Sequence, residues 1–331
     1  MRQCPPTPPA SPSPTWPTAW SAPPMATAPP SRATEPRPLA TGAWSQAFAL
    51  TLDGVEAVLR IGAHGEDFAK DEAVARLAGP GLPVPAVLAR GTAEGWAYAL
   101  SVRAHGTALD DLSAVDVARA LPSLLTALDA AARVDLTGTS GYGIWAPGGR
   151  ASHATWPEAL LAIGTETARV PGWRAALVEC GVGLGPVDAG LAALARLTPY
   201  LPGERQLLHG DLLSRNVLAD GGAVTAVLDW GNALYGDRLY DAAWLLHWWP
   251  WYPAWRPADL HAALLAHWHA TGPLPDHLRE RLHAYLLHIA LDALAYCAYR
   301  RRWDEVRVHA DAVLALAGAA PGESVLIPVT R

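Results

Sequence analysis

The chain has 331 residues, of which 51% are hydrophobic and 17% charged, and its formal net charge is −6. That length is enough for two lobes with separate cores. The acidic balance argues against nucleic acid as the main partner, since phosphate-backbone binding needs concentrated Lys and Arg and the run Arg300-Arg301-Arg302 is short.

No apolar run reaches the roughly 18 residues of a membrane span, and the amino terminus lacks the charged start and apolar centre of a secretory signal. The three cysteines, Cys4, Cys180 and Cys297, have neither metal-ligand nor disulfide spacing. A soluble, monomeric, cytoplasmic protein without a membrane or nucleic-acid partner is therefore expected.

Residues 1–38 are dominated by Pro, Ala, Ser and Thr, a composition that buries too little apolar surface to offset its ordering entropy, so a disordered tail is expected there. Met25 offers a second possible start, and the sequence does not choose between it and Met1.

A small lobe is expected over 39–102. Thr41 to Phe48, with Gly42 and Ser45 in it, precedes two alternating runs, 49–52 and 57–61, separated by Asp53-Gly54, and reads as a loop leading into a hairpin. A single glycine is a weaker signal than a glycine-rich phosphate loop. The second run carries Arg60 near its end, and a helix is predicted over about 66–77. Within it, Lys70 is the only lysine of the chain; together with abundant Ala and Pro it reads as genome composition, without mechanistic meaning. Leu82-Pro83-Val84-Pro85 excludes helix, 96–102 reads as another strand, and 103–106 as a connection between lobes.

From 107 to 331 a mostly helical large lobe is expected, because apolar residues recur at three and four spacing over 109–136 and 187–201. Thr139 to Gly143 and Pro147 to Gly149 interrupt it with turn residues.

The most informative stretch is His209-Gly210-Asp211-Leu212-Leu213-Ser214-Arg215-Asn216, followed by Asp229 at the end of an apolar run. Moving a phosphoryl group from ATP to a hydroxyl requires a carboxylate to accept the hydroxyl proton and oxygen ligands to hold magnesium on the phosphates. Asp211, Asn216 and Asp229 have the residue types for those posts. Between the last two, Asp220-Gly221-Gly222 lies between β-rich runs and signals a hairpin. A two-residue Gly-Gly turn would set Asn216 opposite Val227 and bring Asn216 and Asp229 to one hairpin end. Each residue alone reads as a turn cap; their coincidence favours chemistry.

In this pattern of His-x-Asp-x-x-x-x-Asn, apolar strand and Asp, the chain resembles the aminoglycoside phosphotransferase and choline kinase-like group, relatives of the protein kinases. Within that group it looks most like the hygromycin B phosphotransferases, through Gly42 to Phe48, Val58-Leu59-Arg60, Leu82 to Pro85, Thr139 to Gly143, Leu208 to Asp229, Trp248 to Trp251 and Leu291-Asp292. The resemblance implies an α+β, bilobal protein kinase-like fold with a small antiparallel β-sheet lobe and a mostly helical lobe. It implies Asp211 as catalytic base, His209 as support of the catalytic loop, and Asn216 and Asp229 as magnesium ligands. Gly42 and Ser45 would cover the nucleotide, and Arg60 would face its phosphates. An ion pair would fix Arg60, from Asp71 or Glu72, with Glu72 slightly favoured. Adenine would meet the backbone near Ser101 to Arg103.

On the acceptor side, Trp248 and Trp251 are singled out by the resemblance from a crowd of aromatics at 244–255. Asp241 could attract a polyamine, whereas Asp237 reads as a helix cap. His261, His267 and His269 do not share one helical face and read as surface residues. Two departures from the group lie near the acceptor: Arg215 stands where an amide is expected and Asn232 where an acid is expected. The expectation is an ATP- and Mg2+-dependent O-phosphotransferase, with GTP left open as donor, acting on a small hydroxylated molecule such as hygromycin B. The alternatives are a metabolic kinase for a sugar or amino alcohol and, last, a non-catalytic nucleotide-binding protein.

Overall fold

The computed structural model describes residues 32–42, 44–213 and 215–323, so most of the expected tail lies outside the described residues. The small lobe is built from β1 (Arg37–Thr41), β2 (Ser45–Leu52), β3 (Val55–Gly62), α1 (Gly65–Leu77), β4 (Val87–Ala93) and β5 (Trp96–Val102). The strands form an antiparallel sheet in the order β1-β2-β3-β5-β4. Regular structure thus begins at Arg37, two residues ahead of the expected boundary, and Ala33 also bridges to Leu52.

Two tight turns set this sheet's register. Asp53-Gly54 and Glu94-Gly95 all have positive φ, the backbone of a type I′ turn, whose twist matches that of the flanking strands. They pair Leu52 with Val55 and Ala93 with Trp96. Period-two alternation then sorts the faces. Leu50, Ala57, Leu59, Ile61 and Leu100 form a small core on one side. Ala47, Val58, Arg60, Ala99 and Ser101 share the other, where Arg60 stands opposite both Ala47 and Ala99.

After the connection 103–106, the large lobe contains β6 (Thr107–Ala108), α2 (Ala114–Ala132), β7 (Tyr142–Trp145), β8 (Ala151–His153), α3 (Trp156–Leu161), α4 (Trp173–Glu179), α5 (Gly185–Leu197), β9 (Gln206–Leu208), β10 (Val217–Asp220), β11 (Ala223–Val227), β12 (Leu234–Gly236), α6 (Leu239–Trp248), α7 (Leu260–Thr271), α8 (Leu278–Tyr299) and α9 (Trp303–Gly318). Ser113 caps α2 by accepting the Asp116 N–H, which satisfies one of the orphan donors of its first turn. Helix α8 is buried on nearly all sides, with Tyr285, Leu287, Ile289 and Leu294 inaccessible to solvent, and the polar residues buried with them are partnered, Arg281 by Asp237 and His288 by Tyr240. Among the described residues no helix is long and apolar enough to cross a membrane.

The hairpin β10–β11 forms as predicted, but its register differs by one. Val217, not Asn216, opposes Val227, because the pairing shifts between Leu218 and Ala219 and leaves Thr225 bulged. The Thr225 hydroxyl donates to the His105 carbonyl at 2.6 Å, so the bulge is fastened to the connection between the lobes.

Candidate active site

His209 to Asn216 links β9 to β10 and carries the site. The His209 ring is fully buried. Its Nδ1 accepts the Asp211 N–H at 3.1 Å, so the protonated Nε2 donates to the Leu228 carbonyl at 2.8 Å. Burial pushes its pKa down to about 4, and the ring stays neutral, tying the loop to the strand that ends in Asp229. Gly210 has φ +73°, and a Cβ there would come within 2.4 Å of a Leu234 methyl; only glycine lets the chain turn between His209 and Asp211.

Asp241, the expected acceptor residue, is in fact buried in the first turn of α6, and its carboxylate accepts the N–H groups of His209 and Gly210 at 2.8 and 2.9 Å. It fastens the loop from behind and faces no acceptor. Asp237 is structural as read, paired with Arg281 and the Tyr285 hydroxyl in the core.

Asp211 itself lies at the junction of the two lobes. Burial, and secondarily the charge of Asp229, push its carboxyl up to about 7, with Asn232 opposing. Asn232 Nδ2 donates to it at 3.4 Å. Asn216 Nδ2 donates to the Asp211 carbonyl at 2.8 Å, closing the loop on itself. Asp229, two residues past the end of β11, adopts φ +61°, and its side chain is 44% exposed toward the cleft.

Arg60 bridges Asp229 at 2.8 Å and Asp71 at 2.6 Å. Asp71 also accepts the Trp230 N–H at 2.8 Å, so one carboxylate joins α1, β3 and the turn that follows Asp229. Glu72, the favoured partner of Arg60, instead pairs with Arg76 and Arg90, each at 2.6 Å. The reason is helical phase: Asp67, Asp71 and Val74 share the inner face of α1, whereas Glu72 lies about 100° round, toward β4. Lys70 also has a structural post that composition did not reveal. It is 2% exposed, and its Nζ donates to the carbonyls of Gly231 and Ala233 at 2.7 and 3.0 Å.

Two cavities flank Asp211 and Asp229. The larger, about 460 Å3, lies beneath the small-lobe sheet, and Gly42, Ser45, Arg60, Ser101, Arg103 and Asn216 are all in its wall. The other, about 370 Å3, opens beyond Gly210 and Asn232 and has Trp44, Trp156, Trp173, Trp244 and Asp292 among its lining residues. Both volumes fall in the roughly 300–1,000 Å3 range of small-molecule sites. Trp248 and Trp251 line neither. Trp248 packs against Trp244 and His247, and Trp251 stacks on His309; the aromatics of α6 that line the cavity are Trp244 and Tyr240, one and two turns earlier.

The oxygens fit magnesium. With its amide nitrogen held by the Asp211 carbonyl, Asn216 turns Oδ1 away from that bond, and Asp229 adds a carboxylate. Among the described residues no three His, Cys, Asp or Glu converge as a protein-only metal cage. This donor set suits a cation that is held by one or two side chains and by substrate phosphates.

A carboxylate set between a cleft with a half-buried arginine and a second, aromatic-walled cavity defines a phosphoryl-transfer site between two lobes. The sequence profile of the phosphotransferase enzyme family (APH) matches residues 35–281, and the chain belongs to that family. It is 34% identical to Hygromycin-B 4-O-kinase of Escherichia coli over 262 residues, which cover 77% of this chain and 72% of that protein. Homoserine kinase of Pseudomonas aeruginosa matches at 44% identity over 66 residues, 20% of each chain.

Among solved structures, a thermostable mutant of aminoglycoside phosphotransferase APH(4)-Ia in ternary complex with AMP-PNP and hygromycin B aligns with a TM-score of 0.74 at 31% identity, covering 86% of this chain and 94% of that one. The gentamicin complex of APH(2″)-IIa, at 12% identity and a TM-score of 0.57, shares the fold alone. The protein is thus a phosphotransferase of protein kinase-like fold with an alcohol group as acceptor.

Proposed function

We propose that this protein transfers the γ-phosphoryl group of ATP, with Mg2+, to a hydroxyl of an aminoglycoside-like acceptor, hygromycin B being the first to test. The observation that carries this reading is the position of Asp211 between the sheet-roofed cleft and the aromatic cavity, where a nucleotide on one side and a sugar on the other would meet. The likeness to a hygromycin B kinase, over 77% of this chain and 72% of that protein, supports the choice of acceptor.

In this reaction the acceptor oxygen attacks the γ-phosphorus in line, the bond to the β–γ bridging oxygen breaks, and ADP leaves with that electron pair. Asp211 accepts the hydroxyl proton, and no phospho-enzyme forms. Magnesium, held by Asn216 and Asp229, would neutralise charge on the phosphate oxygens. Arg60 would face the phosphates, held by Asp71. The backbone near Ser101 to Arg103 would meet adenine, under the Gly42 to Ser45 loop. The reaction is assigned to a cytoplasmic monomer.

A second reading, a kinase for a sugar or amino alcohol, is favoured by Arg215 and Asn232. Arg215 is drawn to Asp111 at 2.6 Å, and Asn232 presents an amide, not a charge, to Asp211. The test is ATP consumption with magnesium against hygromycin B, other aminoglycosides, sugars and amino alcohols, with Asp211→Asn as the blank. Turnover dependent on hygromycin B or another aminoglycoside supports the first reading. Turnover only with a sugar or amino alcohol transfers support to the second, and no turnover with any removes both.

A further inference from the structure

Trp44, Arg169 and Asn232 line both the aromatic cavity and a small pocket of about 40 Å3 that Asp211, Asp229, Ser45 and Arg60 also line. These three residues are therefore the partition through which a phosphoryl group passes from nucleotide to acceptor. Two of them, an indole and an amide, are neutral; Arg169 is the cation.

The placement of Arg169 is constructed. It belongs to the segment between Gly164 and α4, in the large lobe, whose backbone is braced where Glu166 accepts the N–H groups of Gly172 and Arg174 at 2.8 and 3.0 Å. From there its guanidinium reaches across to the small lobe, donating to both carboxylate oxygens of Asp67 on α1 and lying 5.4 Å over the Trp44 ring. Asp67 is seated against Gly231, where a Cβ would come within 2.8 Å of its carboxyl carbon. The other cations nearby are committed: Arg60 to Asp71 and Asp229, Lys70 to two backbone carbonyls. Arg60 also approaches the pocket from the nucleotide side, so it cannot cover the oxygens that turn toward the acceptor.

We propose that Arg169 is a catalytic residue that contacts the transferring γ-phosphoryl group from the acceptor side. During transfer, to an acceptor hydroxyl or to water, one arm of the guanidinium moves from Asp67 to a γ-phosphoryl oxygen and stabilises the charge that spreads over the equatorial oxygens while the bond to ADP breaks and the bond to the attacking oxygen forms. Arg169 exchanges no proton; that remains with Asp211. Because the arginine comes from the acceptor lobe and its resting partner from the nucleotide lobe, its arrival depends on both lobes being in place. The inference rests on the phosphotransferase reading but not on which acceptor is used.

The experiment compares wild type, Arg169→Ala and Arg169→Lys in kcat, in KM for each substrate and in nucleotide Kd. Arg169→Ala is expected to lower kcat roughly 100- to 1,000-fold while nucleotide Kd stays within about threefold, with part of the rate restored by added guanidinium salt. Arg169→Lys keeps a charge and the stem but not the fork, and should still lose about tenfold or more in kcat; it serves alone should the alanine variant fail to fold. A kcat within threefold of wild type in both variants overturns the proposal. So does a loss that follows acceptor KM or melting temperature and is not rescued by guanidinium, since that is the signature of a lobe brace only. Slow hydrolysis of ATP by water reads the same step without any acceptor: if hygromycin B turnover is absent yet hydrolysis falls with Arg169→Ala, the acceptor assignment fails and the Arg169 proposal stands.

Discussion

The two cavities that flank Asp211 are built by different rules. The nucleotide cleft is roofed by one sheet, and two hairpins with positive-φ turns fix which face carries Arg60 and Ser101. The acceptor cavity is assembled from Trp44, β7, β8, α3, the segment before α4, β12, α6 and α8, with no single periodicity running through it. The first is specified locally and the second by how distant helices pack. The chemistry is therefore held constant on one side while the acceptor side is free to vary, which is the division expected when one fold serves many substrates.

The sharpest way to break this comparison is at the carboxylate the two sides share. Asp211→Asn should lower kcat about 1,000-fold or more while nucleotide Kd, read by calorimetry, changes little, because the substitution removes proton acceptance and leaves the phosphate contacts. An unchanged turnover would end its assignment as base. One step smaller, the two sides should separate cleanly. Arg60→Ala is expected to raise the KM for ATP about 10- to 100-fold with acceptor KM nearly constant. Asp292→Asn should do the reverse for a cationic acceptor, raising acceptor KM about tenfold, the usual scale of one charge-assisted hydrogen bond. Equal effects on both substrates from either variant would show that the two cavities act as one.

Asp292 also supplies a pH test. Burial pushes its carboxyl up to about 6. Affinity for a cationic acceptor should therefore weaken as pH falls through 6 and the carboxylate is neutralised, and that dependence should vanish in Asp292→Asn. Stability has the opposite sign. A folded pKa above the unfolded value means the native state binds the proton more tightly, so ionisation costs stability as pH rises from about 4 to 6. Asp292→Asn should be more stable than wild type at pH 7.5, on the order of 1–3 kcal/mol, and the gain should disappear near pH 4. A charge kept against stability beside a cavity is what a binding residue looks like; no gain at pH 7.5 would remove that argument.

What was legible in the sequence follows the same divide. The loop His209 to Asn216 between two strands, the strand that carries Arg60 and the hairpins were readable because each is written in residue patterns within a short stretch. The acceptor side was not. Asp241 looks like a free acid downstream of Asp229, but burial turns it into an anchor for two backbone N–H groups. Trp248 and Trp251 stand in an aromatic crowd in which position along α6, not composition, decides that Tyr240 and Trp244 reach the cavity, since Trp244 and Trp248 share one helical face. Arg169 carries no local signal at all: its partners Asp67 and Trp44 are more than 100 residues away in the chain. Even the hairpin register slipped by one, because the bulge at Thr225 answers to His105 rather than to its own strand.

The smallest predicted effect isolates the helical-phase lesson on the nucleotide side. Asp71 and Glu72 are adjacent acids on α1, and the sequence slightly favours Glu72 as the partner of Arg60. In the fold Glu72 lies in an outer pair of ion bridges with Arg76 and Arg90, whose side chains are 72% and 43% exposed, and such surface pairs contribute only about 0.2–1 kcal/mol each. Glu72→Ala should therefore leave kcat and the KM for ATP within about twofold of wild type and lower stability by no more than about 1 kcal/mol, less still at high salt. Asp71→Ala removes the carboxylate that holds both Arg60 and the Trp230 N–H, and should raise the KM for ATP tenfold or more. If urea titration and steady-state kinetics found the two substitutions equivalent, Arg60 would be held by something other than Asp71, and the specification of the nucleotide side by helical phase would fail with it.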